Sequence, residues 1–590
     1  MTAPPSPTPE ERLAALEAWF RDANIEYDRE AVAVHSTAAG VYSVRALVRL
    51  DEDQALARIP KDSVLSTKNC GISDLLETAG LEGVTGLAVA VMYERSLGPQ
   101  SPWASYLQAI PEYESLPILW SDDDVALLAG TDVEEQTARH RKSLYEDYDT
   151  RVVPALKAEG LLGAAGADRF FSRTAFLHAA SLVSSRAFGV DAYHGDAMVP
   201  FADLFNHQTP SRTGEGGEHV HMVTDPEVCP HCGANGPCGC DDDSDRENEI
   251  EEVDEFDEDA EEVEKEMADA GSDASGDDCD PPELYDPADW TIDDPDFDPH
   301  DPENFPETDV QDFLEMIVVR DCPAGEEVFN TYGAHGNDYL LSQYGFCEPR
   351  NSYDTLGVDA DAVVAAASAR VGAEKVQERV EFWKAIGREI VESVLEPEDE
   401  DDEDSEDERD ATRAASEEMD HDGEDADGKG ESNRSDNFCF DSTGRASEDL
   451  LAFLHLLFSD ASRFAGFAEN PVAFLRHIST LRSRNWTAAT VALSKAARSA
   501  KRMGKAAAGP PPPQSPVDRA ISATLLAVAT ARGDAYPTTL EEDRARLKKP
   551  DALVDGSRRF ALLLRVGEKE IVARAKKNYA SVGPGGASRR

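Results

Sequence analysis

The chain is short of positive charge and of long apolar runs, its cysteines do not pair off in an even number, and each shortage narrows what it does. Fifty-six lysines and arginines face 118 aspartates and glutamates, a formal net charge of −62. Binding nucleic acid by counterion release needs clustered cations, and the basic patches here, Arg498 to Lys505 and Lys569 to Lys577, are modest. Direct nucleic-acid binding is therefore not expected. No apolar run approaches the roughly 20 residues that span a bilayer. The opening Met-Thr-Ala-Pro-Pro-Ser-Pro has neither the charged nor the apolar region of a signal peptide. Nine cysteines in 590 residues do not make a secreted disulfide framework. The expectation is a soluble protein of the cytoplasm or nucleus with no membrane partner.

What is there is acidity in two places. Between Asp241 and Asp309 there are 33 acidic residues against 2 basic, and between Glu396 and Asp436 there are 21 against 4. These tracts hold −31 and −17, so only about −14 is left for the rest. Such runs repel themselves and carry too few apolar residues to offset backbone ordering, so both read as disordered insertions. They serve either as solvated loops or as docking arms for a basic protein. The remainder, with 41% apolar residues over the whole chain, is long enough for two to four domains.

Thr8-Pro9-Glu10-Glu11 reads as a helix N-cap, a proline at the first helical position and a capping-box glutamate, followed by Leu13, Leu16 and Phe20 at helical spacing. Strand-like pieces follow at Ala31 to Val34, Tyr42 to Leu50 and Ala55 to Ile59. Ser73 to Asp168 turns helical, Arg169 to Phe188 reads as a further helical segment, and His219 to Val223, Phe313 to Arg320 and Val328 to Tyr332 read as strands. Beyond Pro349 the pattern is mostly helical, with a proline run at Pro510 to Pro513 as a hinge or exposed loop.

Two segments about 120 residues apart stand out: Val199-Pro-Phe-Ala-Asp-Leu-Phe-Asn-His207 and Glu327-Val-Phe-Asn-Thr-Tyr-Gly333. The first sets a carboxylate, an amide and an imidazole at the end of an apolar run; the second presents a tyrosine beside a glycine. Ser185-Arg-Ala-Phe188 precedes them, Asn337 to Phe346 follows, and the insert carries Tyr-Glu-Arg-Ser-Leu-Gly98 then Ser-Pro-Trp103. This constellation resembles the SET methyltransferases of the Rubisco large-subunit lysine methyltransferase subfamily, which includes fungal ribosomal-protein and elongation-factor lysine methyltransferases. The resemblance implies an α+β fold: a helix over residues 1–28, a SET domain over 29–347 with a pseudoknot-like active site, and an all-α substrate-binding domain over 348–590. Within them it places a helical insert at about 70–180; the cysteine cluster with the first acidic insertion at about 225–310, and the second acidic insertion at about 396–437, are read from composition and fall outside the resemblance.

The same resemblance implies S-adenosylmethionine as cofactor and residue roles. Tyr332 is the catalytic tyrosine and also borders the cofactor. Asn206 and His207 grip its amino-acid end, with Asp203 and Arg186, 17 residues apart, near its ammonium and carboxylate. Phe346 adds to the cofactor site, and Phe188 and Tyr344 wall the substrate channel. Gly40, Val41 and Tyr42 form the first cofactor loop, although the family's Gly-x-Gly reads Ala39-Gly-Val-Tyr-Ser43 here, with one glycine of the pair. Methyl transfer suits such a set because the electrophile is already activated, so the protein supplies alignment, desolvation and few acid or base groups.

Cys229, Cys232, Cys238 and Cys240 satisfy a tetrahedral zinc count, with His231 as a spare ligand; free or redox-variable thiols are the alternative. Such a metal is structural. The functional expectation is a protein-lysine N-methyltransferase acting on a basic substrate, a ribosomal protein or an elongation factor. A SET-derived acidic interaction protein that no longer transfers methyl groups is the rival, and cofactor binding discriminates the two.

Overall fold

The structure, a computed structural model, describes residues 8–37, 41–163, 167–210, 217–224, 228–235, 238, 240, 313–395, 438–483, 515–549 and 556–580. Both acidic tracts, Gly40, the Arg498 to Lys505 patch and the Pro510 to Pro513 run lie outside the described residues. The helix Pro9–Asp22 begins with the expected reciprocal cap. Thr8 accepts the Glu11 N–H at 3.2 Å while the Glu11 carboxylate accepts the Thr8 N–H at 2.8 Å. Leu16 and Phe20 turn into the core.

Short strands carry the SET part: β1 (Glu26–Tyr27), β2 (Val32–Ser36), β3 (Tyr42–Ala46), β4 (Ala55–Pro60), β5 (Ala187–Gly189), β6 (Asp196–Met198), β7 (Asn206–His207), β8 (Val220–Val223), β9 (Phe313–Val318) and β10 (Phe329–Asn330). One six-stranded sheet runs β1-β4-β9-β8-β10-β7, while β2 with β3 and β5 with β6 form separate hairpins. The β1-β4-β9-β8 pairings are antiparallel, but β10 lies parallel to both β8 and β7. Alternation sets the register: Leu314, Met316 and Val318 of β9 are fully buried and their neighbours are not.

Five expected elements are shorter than their sequence pattern, two of them simply because β3 ends at Ala46 and β9 at Val318. The stretch from Val328 to Tyr332 keeps only β10, because the N–H groups of Thr331 and Tyr332 go to side chains, Asn330 Oδ1 at 2.8 Å and His207 Nδ1 at 2.9 Å. His219 stands just before β8, its N–H on the Phe329 carbonyl and its ring nitrogen accepting the Phe329 N–H at 3.2 Å. Arg169 to Phe188 breaks after Phe170; Ser172 then caps a new helix, Arg173–Arg186, and Ala187 and Phe188 pass into β5.

The insert is built on the helix Gly83–Leu97, whose Leu87 to Val91 are wholly buried, as a helix apolar on every side must be. It packs against Arg173–Arg186, and both join the sheets in one core running from Leu16 to Val328. A second core, from Leu356 to Tyr579, belongs to the helical part, where β11 (Thr355–Gly357) pairs with β12 (Cys439–Asp441) among the helices Glu448–Leu457, Pro516–Asp534 and Gly556–Tyr579. Trp120, Leu128, Val133, Leu341, Cys347, Ala561 and Leu564 form a third core that joins insert, SET part and last helix.

Charge is buried at that junction. Arg565 and Lys569 both meet Asp543, Arg565 also donates to the Leu127 carbonyl at 3.0 Å, and Arg532 pairs with Asp132 at 2.7 Å. Glu568 accepts a hydrogen bond from Tyr536 and lies 3.6 Å from Arg532. Burial, with Asp132 adding to it, pushes its carboxyl from the ordinary 4.5 up to about 8, Arg532 and Tyr536 opposing. The folded chain thus keeps a proton that the unfolded chain releases. This contribution to stability is full below about pH 4.5 and is lost as pH rises to about 8. Glu568→Gln cannot ionise, so its unfolding midpoint should gain on the wild type's between about pH 5 and pH 8; midpoints that move in parallel across that range contradict the buried, protonated carboxyl.

Candidate active site

The segment Val199 to His207 reaches the site through a strained turn. Phe201 adopts φ +76°, ψ −47°, a conformation costing a bulky residue on the order of 1–3 kcal/mol. Packing holds it there: its ring stacks on Tyr27 at 4.7 Å and meets Phe20 and Phe205 edge-on at 5.7 and 5.6 Å. One 3₁₀ turn, Ala202–Leu204, then buries Asp203 and leads into β7.

Asp203 and Arg186, which the resemblance sets near the cofactor, lie together, and two residues of the insert complete the cluster. Tyr106 donates its hydroxyl to Asp203 Oδ2 at 3.0 Å, and Arg186 lies 3.5 Å from the same oxygen while donating to the Asp203 carbonyl at 3.3 Å. Glu114 pairs with Arg186 at 2.6 Å. Burial raises Asp203 to about 6, against the pull of Arg186. Burial also opposes the charge of Arg186, but Glu114 and Asp203 outweigh it and hold the guanidinium above its ordinary pKa. Asp203 Oδ1 is buried with no partner among the described residues.

The second segment arrives by pairing β10 with β7 in parallel, Phe329 opposite Asn206 and Asn330 opposite His207. Side chains tighten that pairing. His207 Nδ1 accepts the Tyr332 N–H, which leaves Nε2 to carry the proton in the neutral ring and donate to Thr209 at 3.3 Å. Burial, with His335 adding to it, lowers His207 to about 4, so the ring is neutral at pH 7. Asn206 donates to Glu327 at 2.7 Å and to the Tyr42 carbonyl at 3.3 Å, tying β3 to both segments. Among the described residues nothing donates to the Asn206 carboxamide oxygen.

Tyr332 gives its hydroxyl proton to the Phe205 carbonyl at 3.0 Å, and burial pushes its pKa up to about 12. At neutral pH it is a protonated donor and not a base. Its ring lies 4.9 Å from His207, 4.7 Å from Tyr344 and 6.4 Å from Phe346. Tyr339 and His335, stacked at 3.9 Å, extend this aromatic wall.

Of the residues singled out by sequence, Tyr42, Asn206, His207, Tyr332, Tyr344 and Phe346 are linked by these contacts, while Arg186 and Asp203 form a second cluster with Tyr106 and Glu114. Phe188 is half-buried on β5 opposite Ala197 and makes no ring contact with the Tyr332 group among the described residues. Val41 is 57% exposed on the β2–β3 turn. Glu114, Tyr106 and Glu327 are the residues the sequence did not single out; Glu327 stood inside the quoted motif, whereas the other two meet partners 72 and 97 residues away. Tyr106→Phe deprives a buried carboxylate of its hydroxyl donor. It should cost about 1–3 kcal/mol in urea unfolding; an unchanged midpoint contradicts the Asp203 cluster.

Comparison with known proteins gives the same architecture. Residues 426–572 match the family model described as Rubisco LSMT substrate-binding. The chain is 25% identical over 376 residues to ribosomal lysine N-methyltransferase 3 of Saccharomyces cerevisiae, covering 60% of this chain and 64% of that protein. It is 27% identical over 212 residues to N-lysine methyltransferase SETD6 of Mus musculus, covering 33% and 44%. The matches thus span less than two thirds of these relatives' own length. The crystal structure of the SET domain of LSMT bound to lysine and AdoHcy aligns over 97% of this chain and 92% of that one, with a TM-score of 0.52 at 14% identity. The structure of Rubisco LSMT bound to AdoMet aligns over 96% and 91%, with a TM-score of 0.50. The chain therefore has a SET fold with a region that matches the Rubisco LSMT substrate-binding model, and the resemblance to the Rubisco large-subunit methyltransferase subfamily stands.

Proposed function

We propose that this chain is an S-adenosylmethionine-dependent protein-lysine N-methyltransferase whose substrate is a basic component of the translation apparatus, a ribosomal protein in first place. The observation that carries the reading is the β7–β10 pairing, which sets Asn206, His207 and Tyr332 in one aromatic-walled site. The residues present fit the cofactor. The Asn206 carboxamide oxygen and Asp203 Oδ1 take no donor among the described residues and suit an ammonium, while Arg186 supplies the cation for a carboxylate.

Bound there, the cofactor would supply a methyl group on a sulfonium, open to in-line displacement by the lone pair of a neutral lysine nitrogen with the thioether sulfur as leaving group. The chain's own residues orient and desolvate. Tyr332, protonated at neutral pH, and His207, neutral and holding the Tyr332 N–H, are not bases for the amine. The aromatic wall of Tyr332, Tyr344 and Phe346 excludes water, which disfavours the ammonium form of an entering lysine. The amine sheds its proton to solvent before transfer.

The substrate class has two supports. The two most acidic segments carry −31 and −17 and attract a basic protein. The yeast relative is named for ribosomal lysine methylation, as is ribosomal lysine N-methyltransferase 4 of Schizosaccharomyces pombe, 25% identical over 350 residues. Labelled methyl transfer from S-adenosylmethionine into fractionated lysate, wild type beside Tyr332→Phe, tests the proposal. A labelled basic ribosomal band is expected with the wild type, falling about 100-fold or more in the variant while cofactor binding persists. No label with the wild type, or equal label with both, overturns it.

A further inference from the structure

Between β8 and the first acidic tract the chain reads Val228-Cys-Pro-His-Cys-Gly-Ala234. The backbone closes on itself there: Gly233 N–H donates to the Cys229 carbonyl at 2.8 Å and Cys229 N–H to the Ala234 carbonyl at 2.8 Å. Gly233 takes φ +73°, and a Cβ at this position would come within 2.9 Å of the Tyr193 ring, so glycine is required twice over. This tight loop brings Cys229 and Cys232 to one place, and Cys238 and Cys240 return to it. All four sulfurs lie within 4.8 Å of one another.

A zinc ion bound at about 2.3 Å by four thiolates holds its sulfurs about 3.8 Å apart. The four sulfurs here need to close by no more than about 1 Å. All four are free thiols, Cys232 exposed and the others half-buried. Val228 is the single buried apolar side chain among the described residues from 228 to 240, so packing does not account for the convergence. Thiolates this close repel one another, and a divalent cation removes that repulsion. An all-sulfur tetrahedral set selects zinc over magnesium or calcium. His231 is not part of the converging set.

We propose that Cys229, Cys232, Cys238 and Cys240 hold one structural zinc ion that fixes the root of the first acidic tract against the loop between β5 and β6. Gly233 rests on the face of Tyr193 in that loop. Asp191, two residues before it, accepts the Tyr193 N–H at 3.0 Å and pairs with buried Lys61 at 2.8 Å. The ion thereby sits on the hairpin that carries Phe188, and it takes no part in methyl transfer.

Metal analysis of the full chain purified under reducing conditions without chelator tests this. About one zinc per chain is expected, with four additional thiols titrating after chelation. Cobalt(II) added to the chelated protein should give the visible bands of a tetrahedral thiolate site. Cys232→Ser with Cys238→Ser should lose the metal, and His231→Ala should keep it. Zinc below about 0.1 per chain in the reduced wild type overturns the proposal, as does loss of metal in His231→Ala, which would replace the four-cysteine set.

Discussion

Everything at the candidate active site depends on two residue pairs, Phe329 with Asn206 and Asn330 with His207, held in parallel. Two-residue strands supply little pairing of their own, so side chains reinforce them: Asn206 to Glu327, Tyr332 N–H to His207, and Tyr332 hydroxyl to Phe205. Each such bond contributes about 0.5–1.5 kcal/mol net. The same bonds that secure the pairing fix the ring orientation and tautomer of His207 and the direction of the Tyr332 hydroxyl. Fold stability and site geometry are here one set of contacts.

That arrangement explains where the chain tolerates its first long acidic insertion. β8 and β9 are antiparallel neighbours, and the last residue of β8, Val223, lies opposite Glu315 near the start of β9, so the chain leaves and rejoins the sheet at adjacent points. Closing a longer loop costs only about 0.6 kcal/mol for each doubling of its length. A tract of low apolar content added there leaves β10 free to return beside β7. The insert and the helical part act from the other side, through the core shared by Trp120, Leu341 and Leu564 and through Arg565 bound to the Leu127 carbonyl. Glu114 and Tyr106, both from the insert, reach Arg186 and Asp203 from a scaffold that this junction braces.

Local patterns were legible where local physics decides. The Thr8–Glu11 cap and the burial of Leu16 and Phe20 follow from residue spacing alone. The two motifs pointed to the SET fold by resemblance, and the structural likeness bears that fold out. Strand ends were not legible, because Thr331 and Tyr332 spend their N–H groups on side chains whose positions only the tertiary fold sets. The partners Tyr106 and Glu114 left no local signal either: each looks like an ordinary helix-end or loop residue until Asp203 and Arg186 are placed beside it. Likewise the cysteine spacing admitted zinc or free thiols, and the convergence of four sulfurs is information only the fold contains.

The central claim is that the β7–β10 pairing builds a cofactor site, and calorimetric titration of the full chain with S-adenosylmethionine tests it most directly, wild type beside Asn206→Ala. The account predicts one binding site per chain, weakened about tenfold or more when the amide that bridges Tyr42 and Glu327 is removed. No binding by the wild type, or equal affinity in both proteins, would contradict it.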